Sequence, residues 1–183
     1  MGEDLFWAVR GGGGASFGVI VAWKIKLVPV PSTVTVFTVN KNLEQNATKI
    51  FHRWQYIADK FDIDLFIRVI LTGVSSSQKR NRPVQASFNS LYLGGKDKLL
   101  PLMQKSFPEL GLVSEDCKEM SWIQSILYFA GFPSGQSLDV LLNRTLRVIS
   151  YKAKSDYVKN PIPESGLEGI CKDFMKKRKS QLY

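Results

Sequence analysis

Four consecutive glycines, Gly11, Gly12, Gly13 and Gly14, form the stretch whose residue types are best suited to hold a ligand. A segment without Cβ atoms can adopt positive φ angles and bring main-chain N–H groups against a planar or anionic ligand. The residues alone also allow a local interpretation, in which the glycines end a helix and form a bulge before a strand. The pattern by itself favours this local interpretation and leaves ligand binding open.

The spacing of these glycines excludes two common nucleotide-binding motifs. A dinucleotide-binding G-x-G-x-x-G fingerprint would need a glycine where this chain has Ala15, Ser16 or Phe17. The predicted order is also reversed, because a helix precedes the glycines and a strand follows them. No Gly-Lys-Ser or Gly-Lys-Thr follows, so the segment is not a phosphate-binding P-loop either.

Other reactive side chains do not form a recognisable catalytic or metal-binding pattern. The single histidine, His52, lies off the apolar stripe of a predicted helix, which indicates a surface residue. Cys117 and Cys171 are far apart in sequence and do not form a zinc-ligand pattern with one histidine. A disulfide between them stays open, although a buried thiol is the simplest interpretation of Cys171. We therefore predict no metal site.

Arg68 is the most distinctive charged residue, because it lies within a predicted strand of otherwise apolar residues. Leu65, Ile67, Val69 and Leu71 form one apolar face of that strand by alternation. Arg68 belongs to the other face, and the residues alone favour an arginine whose stem packs while its head reaches water.

Composition restricts the partners of the chain. The 183 residues, 44% of them hydrophobic, suffice for a sizeable core in one domain or slightly more. The net charge of +9 is concentrated partly in one run at residues 176–179 and is otherwise scattered, which argues against nucleic-acid binding. No apolar run is long enough to insert into a membrane, and the N-terminus lacks the pattern of a signal peptide.

The periodicities predict an α+β fold, in which helices cover an antiparallel sheet. A first helix carries Glu3 and Asp4 in its opening turn, and a strand from Phe17 to Leu27 follows the glycines. A proline-rich break at residues 29–32 marks a domain boundary. Further strands are predicted over residues 33–39, 65–71 and 84–92, the last two as a hairpin. Further helices are predicted over residues 43–61, 99–107, 123–130 and 165–175, with Ser165 as the last N-cap and one helical turn within 138–149.

Residues 3–20 closely resemble the end of the PCMH-type FAD-binding domain of plant berberine bridge enzyme-like oxidoreductases, within the vanillyl-alcohol-oxidase flavoprotein group. The likeness continues in shorter segments at residues 22–28, 105–111, 116–119, 121–122 and 156–164. Together they cover most of the chain. The resemblance implies the end of a flavin domain at residues 1–28, the front of a substrate domain at 29–175 and a divergent basic tail at 176–183.

The resemblance also implies a cofactor and a substrate surface. FAD would contact the main chain of the glycine bridge, which we define as Gly11, Gly12, Gly13, Gly14, Ser16, Phe17, Gly18 and Val19. The sheet would cover the flavin, and its outer side would line the substrate cavity, with Phe66, Arg68 and Ile70 as candidate lining residues. The substrate would be a small organic molecule (a sugar, a monolignol or an alkaloid) that transfers a hydride to the flavin.

In the family, the residues that attach FAD covalently and the catalytic base lie in segments that do not match this chain. We therefore assign no catalytic residue and expect the chain to be a fragment of the oxidoreductase. The alternatives are a catalytically inactive truncated product and a non-catalytic binding module of the same fold. We expect the intact protein to be monomeric.

Two Asn-X-Thr triplets, at Asn46 and Asn143, would accept glycans if the chain entered the secretory pathway. The resemblance implies an extracellular, cell-wall or vacuolar protein, with which these triplets agree. The lack of a signal-peptide pattern does not agree with it.

Overall fold

The computed structural model of the chain describes residues 2–12, 16–73, 83–143, 152–176 and 181–182. The helices are α1 (Glu3–Val9), α2 (Ala47–Gln55), α3 (Lys96–Ser106), α4 (Trp122–Phe129) and α5 (Glu164–Lys176). The strands are β1 (Val34–Asn42), β2 (Leu65–Gly73), β3 (Val84–Tyr92), β4 (Lys118–Met120) and β5 (Gln181–Leu182). Short 3-10 turns occur at Leu43–Gln45, Ala58–Lys60, Pro108–Leu110, Ser114–Asp116 and Leu138–Leu142. Among these described helices, none is long and apolar enough to cross a membrane.

The strands form one antiparallel sheet in the order β4-β1-β3-β2-β5, so the predicted α+β class is confirmed. β2 and β3 pair along their whole length, as the predicted hairpin requires, and their connecting residues 74–82 lie outside the described part. The register places Thr38 of β1 opposite Asn89 of β3, and Asn89 opposite Arg68 of β2. These three side chains therefore project from the same face of the sheet.

The other face of the sheet, here called the core face, packs against helices. All four apolar β2 residues predicted to share a face lie in the hydrophobic core with Phe37 of β1 and Phe88 of β3. Helix α3 adds Leu99 and Met103, and helix α5 adds Cys171 and Phe174. Burying each large apolar side chain contributes about 1.5–3 kcal/mol. This layer therefore anchors the sheet on its core face.

Several predicted boundaries are corrected by the structure. The predicted helix at 43–61 is interrupted because Asn46 has a left-handed conformation, with φ 61°, which asparagine tolerates better than most residues. Helix α5 begins at Glu164, so Ser165 lies inside it and is not the N-cap. Strand β4 was not predicted, because its three residues are too few to show a period.

The predicted strand from Phe17 to Leu27 is wrong for this chain. Residues 19–31 adopt neither helix nor strand, and their apolar side chains are largely exposed, with Val19 90% and Val21 93% accessible. A strand needs a neighbour to satisfy its N–H and C=O groups. Among the described strands, none pairs with this segment.

Candidate functional site

The first part of the glycine bridge closes helix α1. The amides of Gly11 and Gly12 both donate hydrogen bonds to the carbonyl oxygen of Ala8, at 3.4 and 2.7 Å. Arg10 is the C-cap residue of α1, and its guanidinium carbon lies 4.7 Å from the centre of the Phe6 ring. These two glycines thus have the helix-ending role that the local interpretation predicts. Gly13 and Gly14 lie outside the described residues.

The two described glycines of the quartet differ in the space around them. A Cβ atom on Gly12 would stand 2.6 Å from Cε2 of Phe17 and 2.7 Å from the Ala8 carbonyl oxygen. A Cβ atom on Gly11 would meet no atom of the described residues within 4 Å. Gly12 is therefore required by the packing of the chain itself, whereas Gly11 faces open space that a ligand could occupy.

The second part of the glycine bridge is an exposed turn from Ser16 to Val19. Gly18 has φ 137°, a conformation that residues with a side chain rarely adopt. Phe17 and Val19 are 51% and 90% exposed. The main chain of this turn is accessible, so the bridge offers backbone groups rather than side-chain functional groups to a ligand.

A polar row crosses the face of the sheet opposite the core, here called the outer face. The amide Nδ2 of Asn89 donates a hydrogen bond of 2.7 Å to Oγ1 of Thr38. The hydroxyls of Thr38 and Tyr128 are 2.5 Å apart and share a second hydrogen bond. Helix α4, which carries Tyr128, is thereby fastened to the sheet at the same level as Arg68.

Arg68 completes this row on β2. Its guanidinium carbon lies 5.2 Å from the centre of the Phe129 ring, which is within the range of a cation–π interaction. Its Nε atom is buried and has no hydrogen-bond partner among the described residues. Within the described residues, a salt bridge joins Arg53 and Glu109, and no carboxylate pairs with Arg68. The outer face therefore carries a positive charge held by an aromatic ring.

The other two candidate lining residues differ in how far they are exposed on the outer face. Phe66 is 53% exposed, whereas Ile70 is only 8% exposed. Thr38, Asn89, Tyr128 and Phe129 were not predicted for the site. Alternation along β1 and β3 would have placed the first two on the outer face, but it could not show that α4 reaches them.

The remaining reactive residues have structural surroundings. His52 is half-buried, and its ring meets Tyr56 edge-on at 5.1 Å. Cys117 and Cys171 are both free thiols, which answers the open question of a disulfide between them. Burial is the main cause that raises the pKa of each thiol, so neither is an activated nucleophile. Within the part of the chain that the structure describes, no three metal-ligating residues are grouped.

The predicted glycan acceptors are both exposed at their asparagine residues. Asn46 lies between a 3-10 turn and helix α2. Asn143 ends the 3-10 turn at Leu138–Leu142, and the two residues that follow it lie outside the described ranges. Glycosylation at both positions stays a prediction.

No family model matches the chain. Individual proteins do match it closely. The monolignol oxidoreductase AtBBE-like 13 of Arabidopsis thaliana is 55% identical over 177 residues, which are 96% of this chain and 33% of that protein. The tetrahydroberberine oxidase of Berberis wilsoniae is 56% identical over 179 residues, again 96% of this chain and 34% of the relative.

The fold agrees with these sequence relationships. The solved structure of BBE-like 28 from Arabidopsis thaliana superposes with a TM-score of 0.84 and 53% identity, covering 93% of this chain and 34% of the solved chain. The resemblance inferred from residues 3–20 is thus confirmed over nearly the whole sequence. The chain is therefore similar, over nearly its whole sequence, to berberine bridge enzyme-like oxidoreductases of plants, and it spans about one third of the length of the relatives it matches.

Proposed function

We propose that this chain forms the junction between the flavin domain and the substrate domain of an FAD-dependent oxidoreductase. Residues 1–28 would end the FAD-binding domain, residues 29–175 would begin the substrate domain, and residues 176–183 would form a basic tail. The match to about a third of BBE-like 28 supports this assignment. The polar row on the outer face is the observation that carries the substrate half of the proposal.

The glycine bridge fits a flavin nucleotide through its main chain. Open space at Gly11 and the exposed turn at Gly18 would let a planar ring approach the backbone. The bridge follows the C-terminal end of α1, where the helix dipole is negative, so it is better suited to a neutral part of the nucleotide than to its phosphates. When bound, FAD would supply the hydride-accepting ring.

The outer face would orient a small organic substrate against that cofactor. Arg68 brings a charge without a carboxylate partner among the described residues, and Phe66 brings an exposed aromatic surface. A guanidinium binds oxygen acceptors, and an aromatic ring stacks on planar or apolar groups. This combination suits an oxygen-bearing sugar, monolignol or alkaloid. The catalytic base would come from outside this chain.

The substrate role is tested by replacing Arg68 with alanine in an intact homologue, by which we mean a full-length relative with the same residues at the tested positions. We expect the KM for its substrate to rise about tenfold, because a lost hydrogen bond to a charged group costs about 1.5–3 kcal/mol. The melting temperature should change little.

The matched control is Arg53→Ala, which removes an arginine whose ion pair with Glu109 is exposed. Such pairs contribute about 0–1 kcal/mol, and the KM should not change. Unchanged kinetics of Arg68→Ala together with a lowered melting temperature would reject the substrate role.

The intact protein would be monomeric and would reach the cell wall, the extracellular space or the vacuole, carrying glycans at Asn46 and Asn143. Both asparagines are exposed, which supports access for glycosylation. Expression of the intact homologue in a plant secretory system tests this. A mass loss after glycan removal is expected, and the loss should be smaller when both asparagines are replaced by glutamine.

A further inference from the structure

We infer that Phe129 is a positioning residue that orients the Arg68 guanidinium towards the substrate. Its own position is set by the hydrogen-bond chain from Asn89 through Thr38 to Tyr128. This inference rests on the proposed function and adds to it the device that holds the binding arginine in place.

The first step is the way in which Arg68 is held. A free arginine side chain samples many rotamers, and fixing them costs conformational entropy at the moment a substrate binds. Proteins usually fix a guanidinium with a carboxylate, but that also neutralises its charge. Phe129 lies 5.2 Å from the guanidinium carbon and attracts it through its π-electrons. The ring therefore restricts Arg68 while leaving its charge available.

The second step is the way in which Phe129 is held. Phe129 is the last residue of α4, and the neighbouring Tyr128 ring meets it edge-on, with centres 5.5 Å apart. The Tyr128 hydroxyl is hydrogen-bonded to Thr38, which also accepts the Asn89 amide. Without these bonds, the end of a two-turn helix would be the part most prone to fray.

The third step is the register of the sheet. Thr38, Asn89 and Arg68 lie directly opposite one another on β1, β3 and β2. The hydrogen-bond chain therefore fastens the end of α4 at the same level of the sheet as the arginine that its aromatic ring must meet. The next position of β1 on the same face is two residues along, about 6.6 Å away, because a strand rises about 3.3 Å per residue. A fastening at that position would carry the Phe129 ring away from the Arg68 guanidinium.

The test is a double-mutant cycle of Arg68→Ala and Phe129→Leu in an intact homologue, measured as kcat and KM. We expect Phe129→Leu to raise KM about three- to tenfold with kcat nearly unchanged, because a cation–π interaction of this kind is lost. Phe129→Tyr keeps the aromatic ring, so its KM should equal that of the unsubstituted protein. In the Arg68→Ala background, Phe129→Leu should have no further effect on KM, because Phe129 acts through Arg68.

Tyr128→Phe removes only the hydroxyl that is hydrogen-bonded to Thr38. This second variant tests the inference if Phe129→Leu does not fold. It should raise KM in the same direction by a smaller factor. An unchanged KM in Phe129→Leu or, where that variant does not fold, in Tyr128→Phe overturns the inference. The inference is also overturned if Phe129→Leu changes KM by the same factor in the Arg68→Ala background as in the unsubstituted protein. If Arg68→Ala itself leaves KM unchanged, the proposed substrate role fails instead.

Discussion

The ring of Phe17 occupies the place that a side chain on Gly12 would need, since a Cβ atom there would stand 2.6 Å from Cε2 of the ring. Phe17 thereby folds the exposed turn of the glycine bridge back onto the end of helix α1. The requirement for glycine at this position comes from the chain itself. Gly11, by contrast, has no neighbour within 4 Å of a Cβ atom placed on it, in the part of the chain that the structure describes.

The contrast between these glycines gives a direct test of cofactor contact. In the chain alone, Gly11→Ala should leave stability unchanged, whereas Gly12→Ala should destabilise it by about 1–3 kcal/mol, as overpacking does. In an intact homologue that binds FAD against this bridge, Gly11→Ala should lower the flavin content, measured by absorbance after purification. Full flavin content in Gly11→Ala would place the cofactor away from Gly11.

The apolar segment at residues 19–31 should make the isolated chain aggregate, because it exposes large apolar side chains and has no strand partner among the described residues. We expect the isolated chain to bind no FAD tightly and Val21→Lys with Leu27→Lys to shift it towards monomer in size-exclusion chromatography. Ile63→Lys is the matched control, since Ile63 is 98% exposed but lies in a separate turn. A monomeric, yellow, flavin-containing chain would contradict this prediction.

The side-chain amide of Gln55 fastens the segment that leads into α5. It donates to the Ile162 carbonyl oxygen at 3.0 Å and accepts from the Ile162 amide at 2.9 Å. Gln55→Ala should lower the free energy of unfolding by about 1–2 kcal/mol. It should also speed hydrogen exchange at the Ile162 amide. Gln104→Ala, on an exposed position of α3, should do neither; an unchanged exchange rate in Gln55→Ala would show that the two bonds do not hold the segment.

The buried thiol of Cys171 should make stability depend on alkaline pH. Burial, with a smaller contribution from the Glu168 carboxylate, raises the pKa of Cys171 above its ordinary value of 9.0. The folded state thus holds the proton more tightly, so the stabilisation is complete below about pH 9 and is lost as pH rises through the folded pKa.

Denaturant unfolding of the Val21→Lys, Leu27→Lys chain between about pH 8 and pH 10 measures this dependence. Cys171→Ala should flatten it. A smaller slope should remain, because burial also raises the pKa values of Cys117 and Tyr92. A slope unaffected by Cys171→Ala would exclude the thiol as its source.

The periodic parts of the fold could be predicted from the sequence. The alternation of Leu65 to Leu71 identifies both a strand and its core face, and the helical spacing of Leu167, Cys171 and Phe174 identifies the buried stripe of α5. In both cases burial follows directly from residue spacing. The segment from Phe17 to Leu27 shows the opposite situation, because its apolar alternation predicts a strand whose partners are absent from the described sheet.

The candidate site was predictable only in part. Arg68 is distinctive within its own strand, so the sequence could point to it. Its contact with Phe129 joins residues 61 positions apart, and the bond between Thr38 and Tyr128 spans 90. A local sequence pattern cannot show contacts between residues so far apart in the sequence. These contacts depend on how α4 docks on the sheet.

The most direct test of the central claim is a crystal structure of an intact homologue with its FAD bound. The account predicts that the main chain from Gly11 to Val19 lies in van der Waals contact with the flavin nucleotide and that Arg68 faces the substrate cavity. A structure in which the glycine bridge lies well away from the cofactor would contradict it.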